Sequence, residues 1–200
     1  MAVKKKRTIK AGRSWPQKSL LALIVAAGLV AGGTTAATAA PAASPTTLFA
    51  AEKPAVAAAK TDTSAVELGV SFTSAQAGSV TAIKFYKGAG NTGTHTGQLW
   101  SSTGTSLAKV TFTNETASGW QTAKLSKPVA VKAATRYVVS YLAPQGKYAY
   151  TSNYVASAKK SGSLTVAASK NGLYRYGSSD FPTGASNHNF WVDVYFFPAN

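Results

Sequence analysis

The stretch Val66-Glu67-Leu68-Gly69-Val70-Ser71-Phe72 places a large apolar side chain at every second position. A period of two belongs to a β-strand with one buried face, because successive side chains leave a pleated backbone on opposite sides. The same texture continues downstream in Val80–Phe85, Gln98–Ser101, Leu107–Thr113, Trp120–Leu125, Val129–Val131, Thr135–Leu142 and Lys147–Thr151, and it closes in Phe190–Phe197. These runs are short, rich in Val, Thr, Tyr and Phe, and separated by Gly, Pro, Asn and Ser. Beyond the N-terminal region no window repeats apolar residues at the three- and four-residue spacing of a helix. Many short strands predict an all-β fold, an antiparallel β-sandwich of jelly-roll or immunoglobulin-like type, over residues 65–200. The final run is apolar on both faces apart from Asp193, which predicts a central strand covered on both sides.

Upstream of the first strand the texture changes twice. Residues 1–18 are positively charged, Leu20–Val30 is an unbroken apolar run, and Ala37-Thr38-Ala39 places small residues where a signal peptidase reads them. That order is the order of a secretory leader over residues 1–39, and it predicts export, with cleavage after Ala39. The run is shorter than the ~20 residues of a spanning helix, so no stable membrane span is expected after cleavage. The bland alternative is a retained anchor. Residues 40–64 are dominated by Ala, Pro, Ser, Thr and Val, with Pro41, Pro45 and Pro54. With little to bury, this stretch reads as a linker, a semi-extended tether.

Charge and composition remove several function classes. The chain carries 21 Lys/Arg against six Asp/Glu, a formal net charge of +15. Seven of those cations lie in residues 1–39, with no acid, so the remainder holds fourteen basic and six acidic residues, a net of +8. Those lysines are scattered, which weakens a nucleic-acid reading and leaves a general pull towards anionic polymers. The absence of cysteine excludes disulfides, thiolate nucleophiles and Cys-ligated metals.

Several segments together resemble a known family. Glu67–Phe72, Ile83–Gly88, Gly90–Gly97, Leu99-Trp100-Ser101, Ala117–Gln121 and Trp191–Val194 look like the bacterial domain-of-unknown-function 4082 family, in the family's order across about residues 65–197. The resemblance implies a secreted or surface-exposed β-sandwich, usually appended to or repeated within larger extracellular proteins. It implies no established activity and no accepted ligand. The departure here is a single copy on a short tether.

The candidate chemistry is mostly aromatic. Gly88–Gly97 carries four glycines, and its functional reading is a recognition loop presenting Asn91 and His95; the bland reading is a hairpin connection whose Asn and Thr side chains satisfy the backbone. It is no phosphate loop, since neither Lys-Ser/Thr nor a helix follows. Trp100 points outward if Leu99 points inward. Tyr148, Tyr150 and Tyr154 share one strand parity, and Tyr174-Arg175-Tyr176 forms a loop group of two rings and a cation. Aromatic faces suit the apolar faces of sugar rings, so Asn91, His95, Trp100, Tyr148, Tyr150, Tyr174 and Tyr176 are the ligand-binding candidates. Two histidines without cysteine do not make a zinc motif, and no metal is assigned. Calcium on Asp180, Asn187, Asn189 or loop carbonyls is the one cofactor kept open; the favoured alternative is a polar loop held by Asx turns. No catalytic residue is expected: the domain offers few carboxylates and no nucleophile elbow.

The expectation is a secreted, extracellular module, cell-wall associated in one form of it. Its ligand is polysaccharide or cell-wall polymer. The alternative is a structural or adhesion module contacting other extracellular proteins, and a small hydrolase stands third.

Overall fold

The computed structural model describes residues 44–177 and 179–199; the leader expected over residues 1–39 and its cleavage point lie outside them. Eleven strands follow in order: β1 (Val66–Ser74), β2 (Gly78–Lys87), β3 (Thr96–Ser101), β4 (Ser106–Thr111), β5 (Gly119–Val131), β6 (Tyr137–Ala143), β7 (Lys159–Ser161), β8 (Leu164–Val166), β9 (Gly172–Tyr176), β10 (Gly184–Ser186) and β11 (Val192–Pro198). One short 3-10 turn, Tyr154–Ala156, sits before β7. Every strand pairing is antiparallel. The strands form a wide sheet in the order β10-β9-β1-β6-β3-β4, with the β7–β8 hairpin joined to the end of β1, and a narrow sheet in the order β11-β2-β5.

The two sheets pack face to face as a β-sandwich. Val66, Leu68, Val70 and Phe72 of β1 and Tyr137, Val139 and Tyr141 of β6 face Val80, Ile83 and Phe85 of β2 and Val192, Val194 and Phe196 of β11. At the centre the Phe85 and Tyr141 rings stack at 4.3 Å, and Phe112 meets Phe85 edge-on at 4.7 Å. The period-two pattern read from β1 is therefore the inward face of the wide sheet. Each large buried ring contributes roughly 2–3 kcal/mol by leaving water.

Three expectations are corrected here. Residues 46–64 are not a tether. They form a strap along the sandwich: Thr46 exchanges backbone hydrogen bonds with Phe196 (2.7 and 2.9 Å), and Val56 does the same with Tyr150 (both 3.0 Å). Leu48 and Phe49 are buried in the core. The composition misleads because two large side chains suffice to anchor a segment whose remaining residues are small enough to lie flat.

The second correction concerns β11. It is an edge strand of the narrow sheet, not a central one. It is nonetheless buried on both faces because the strap covers it. Asp193 Oδ1 accepts from the Leu48 N–H (2.6 Å), Oδ2 from the Phe49 N–H (3.0 Å), and Lys84 Nζ lies 3.4 Å from Oδ2. Lys84 in turn donates to the Ala50 carbonyl at 2.7 Å. Burial pushes the Asp193 carboxyl above its ordinary value, against the pull of Lys84 and the backbone N–H groups of Leu48, Phe49 and Val194. The one acid in an apolar run is thus the fastener of the strap.

Third, Tyr174-Arg175-Tyr176 is not a loop. It belongs to β9, which pairs with β1 in the register Leu68↔Tyr174 and Val66↔Tyr176.

The outer face of the wide sheet is also closed. Glu67, Gln98, Trp100 and Ser140 point away from the core, and all four are buried. Phe181 meets the Trp100 ring at 5.7 Å, 72° from coplanar, and Pro182 packs over Gly69. The Trp100 indole N–H donates to Ser140 Oγ (2.7 Å), and the Ser140 hydroxyl donates to Glu67 Oε1 (2.5 Å). Burial raises the Glu67 carboxyl from 4.5 to about 7, against the pull of the hydroxyls of Ser140 and Ser179.

Candidate functional site: an aromatic cleft

The wide sheet is six strands across and the narrow one only three. β11 packs against β6 and β1, β2 against β3, and β5 against β4. The β9–β10 end of the wide sheet therefore extends past its partner, and its inward face must be covered by something else. Loops do this, and they leave a cleft.

Tyr174 and Tyr176, two apart on β9, share the face that Val66 and Leu68 present. Opposite them stand Tyr148, His188 and Phe190, and the seven residues with Ser186 enclose about 290 Å³. A second compartment of about 520 Å³ adjoins it, lined by Tyr148, His188, Tyr150, Ser152 and strap residues 56–62. Tyr148 and His188 wall both. Volumes of ~300–1,000 Å³ are usual for small-molecule sites.

The rings hold one another at steep angles. Tyr174 meets Phe190 at 6.5 Å and 69°, Phe190 meets Tyr148 at 5.7 Å and 80°, and Tyr174 meets Tyr176 at 6.2 Å and 74°. Edge-to-face contact is favoured because each ring's positive rim meets the negative face of its neighbour. Trp191, next to Phe190, has φ of 56°. Such a backbone is uncommon for a bulky residue. The Asn189 side-chain oxygen accepts the Trp191 N–H at 2.8 Å, and the Tyr86 N–H donates to the Trp191 carbonyl at 2.8 Å. This turn sends Phe190 to the cleft and Trp191 into the cluster of Phe49, Trp120 and Tyr154 beneath the strap.

Asp62 ties the compartments together. Its Oδ2 accepts from the Tyr148 hydroxyl at 3.0 Å and from the Tyr176 hydroxyl at 2.7 Å. Burial and this bond push the Tyr148 phenol above its ordinary value, and the Asp62 bond does the same for Tyr176. Both hydroxyls stay protonated as donors through neutral pH. Two glycines make the placement feasible. Gly146, at φ 58°, lies so close to the strap that a Cβ would sit 2.3 Å from the Asp62 carbonyl oxygen. A Cβ on Gly172 would sit 1.8 Å from the His188 carbonyl oxygen. Neither site tolerates a larger residue without moving backbone.

Four of the seven candidates from the sequence, Tyr148, Tyr150, Tyr174 and Tyr176, converge here. The other three do not. Asn91 and His95 are fully buried. His95 bridges Asn91 Oδ1 and Glu115 Oε1, both at 2.9 Å, while Lys87 pairs with Glu115 at 2.8 Å. The loop 88–97 thus turns its polar groups inward to fasten itself, and burial pushes the His95 imidazole below its ordinary value. Trp100 does point outward from Leu99, as its parity required, but Phe181 covers it. Tyr154 leaves the tyrosine row and donates to Glu52 of the strap at 2.7 Å.

Asp62, His188 and Phe190 are cleft residues that sequence reasoning did not assign. Asp62 stood in the supposed linker, although it is the only acid between Glu52 and Glu67. The side chains considered for calcium hold protein groups: Asp180 pairs with Arg175 at 2.9 Å, Asn187 accepts from the Lys170 N–H, and Asn189 from the Trp191 N–H. Among the described residues no group of three His, Asp or Glu is placed to share a metal ion.

No curated protein and no solved structure matches the chain. A family model described as a domain of unknown function, DUF4082, matches residues 51–192, a span that takes in the strap from residue 51, strands β1 to β10 and the cleft. With most of its length accounted for by that match, the chain belongs to the DUF4082 family.

Proposed function

We propose that the chain is an exported, non-catalytic binding module whose aromatic cleft takes a polysaccharide or cell-wall polymer. The observation that carries the reading is the convergence of Tyr148, Tyr150, Tyr174 and Tyr176, from segments on opposite sides of the cleft, on two adjoining compartments. Tyrosine rings offer flat apolar faces to sugar rings and hydroxyls to sugar hydroxyls, and they lose little side-chain entropy on binding. Two joined compartments suit more than one sugar unit. Export rests on the leader read in residues 1–39.

The acids favour binding over catalysis. Asp193 fastens the strap, Glu67 is buried on the outer face of the wide sheet, and Glu115 is paired with Lys87 and His95. Asp62 stands alone in the cleft, whereas glycoside hydrolysis by the usual route needs two carboxyl groups facing one bond. Co-sedimentation with insoluble cell-wall and plant polysaccharides tests the reading. Retention at low salt that is lost in Tyr148→Ala and in Tyr174→Ala is expected. Retention on no polymer overturns it, and a concentration-dependent oligomer without retention favours the adhesion alternative.

A further inference from the structure

The smaller compartment has the make-up of a cation box. Tyr148, Tyr174, Tyr176 and Phe190 wall it, with neighbouring rings set steeply to one another. Aromatic faces carry negative charge density, and several faces around one volume are how proteins hold organic cations. Sugar platforms need only one or two flat faces.

A charge of the matching sign stands next to this compartment. Asp62 lines the adjoining larger compartment, and its carboxylate reaches the box through Oδ2, which accepts from the Tyr148 and Tyr176 hydroxyls. Neither Lys nor Arg lines the box itself, although the remainder of the chain beyond residue 39 is cationic overall. Nδ1 of His188 is buried without a hydrogen-bond partner. The box therefore combines aromatic walls and one unpaired ring nitrogen with a carboxylate hydrogen-bonded at its edge, and no Lys or Arg lines it.

We propose that this compartment binds an organic ammonium group carried by the polymer ligand, whether the quaternary ammonium of a choline substituent or the primary ammonium of an amino sugar. The inference rests on the cleft being the ligand site, and it names the group that the smaller compartment selects. The larger compartment, lined by Lys60, Tyr150 and Ser152, holds the adjoining uncharged part of the ligand.

Titration of the purified protein, followed by NMR of the cleft amides, separates charge from shape. The probes are choline, its neutral isostere 3,3-dimethylbutan-1-ol, glucosamine and glucose. Choline or glucosamine is expected to bind at least about fivefold tighter than its neutral counterpart, the scale of a partly desolvated cation–π contact. Which of the two does so identifies the source of the ammonium. Asp62→Asn, which keeps the backbone contact of the strap, is expected to remove most of that preference. Tyr176→Ala, at a residue 54% exposed and tolerant of truncation, is expected to weaken the ammonium probe several-fold while leaving the fold intact. Equal affinity for charged and neutral probes, or no binding of either ammonium, overturns the inference. If neutral glycans are nevertheless retained in co-sedimentation, the polysaccharide reading survives that result. Ammonium binding without glycan retention upholds the box and overturns the polymer.

Discussion

Glu67 allows a quantitative test of the closed outer face. Its carboxyl is raised from 4.5 to about 7 because the folded chain removes it from water. A raised value means that the folded state prefers the protonated form. The stability this contributes is complete below pH 4.5 and is lost as the pH climbs through about 7. The whole displacement corresponds to about 3 kcal/mol, at 1.36 kcal/mol for each pH unit. Between pH 6 and pH 8 the folded form releases nearly all of that proton, while the unfolded form has already lost it. The loss across that interval is about 1.3 kcal/mol, or roughly 3–5 °C in melting temperature for a domain of this size. Glu67→Gln removes the titration while keeping an oxygen to accept from Ser140. Other groups titrate in the same range; His95, held low by burial, stabilises in the opposite direction as the pH rises. The informative quantity is therefore the difference between the two proteins. Thermal unfolding by circular dichroism from pH 5 to pH 8.5 is expected to show Glu67→Gln gaining on the parent up to about pH 7–8 and holding level beyond. Parallel curves would refute the assignment and mean that water reaches this carboxylate.

Further outcomes follow from the strap and the cleft. Phe49→Ala is expected to cost about 3–5 kcal/mol in urea unfolding, the usual range for a buried ring; a change near zero would restore the tether. Asp193→Asn leaves Lys84 buried beside a neutral amide and is expected to cost about 3 kcal/mol or more, which the same unfolding curves would report. Gly146→Ala is expected to loosen residues 60–63, seen as faster amide exchange there and weaker ligand retention, with the core strands unaffected. Asn91→Ala should lower stability by about 1–3 kcal/mol without changing ligand retention, because its oxygen serves His95 and not the solvent.

Much of the fold was legible because burial leaves a period. β1 could be read residue by residue from its alternation, and β2, β3, β5, β6 and β11 from their β-branched and aromatic runs. The strap was not legible: its packing depends on Leu48, Phe49 and a distant acid at 193, and no local period records a contact across 145 residues. β9 was missed because two exposed or half-exposed tyrosines around Arg175 look like a loop, and only the register with β1 makes them a strand. β11 reads as central because its strap-covered face is as apolar as a sheet interior. In the site, side-chain parity gave the direction of Trp100 correctly but could not show Phe181 lying over it. Tyr148 and Tyr150, and likewise Tyr174 and Tyr176, stand two residues apart, and that spacing was the signal that grouped each pair on one side. Asn91 and His95 were misplaced because a glycine-rich loop looks alike in sequence whether its polar groups face outward or inward.

The central claim is that ligand enters the aromatic cleft and not the glycine-rich loop. A titration of the isotopically labelled protein with a soluble oligosaccharide from any polymer that retains it addresses this directly. Amide shifts are expected at residues 60–63, 148–152, 172–176 and 186–190, with 88–97 unmoved. Shifts centred on 88–97, with the cleft silent, would contradict the account.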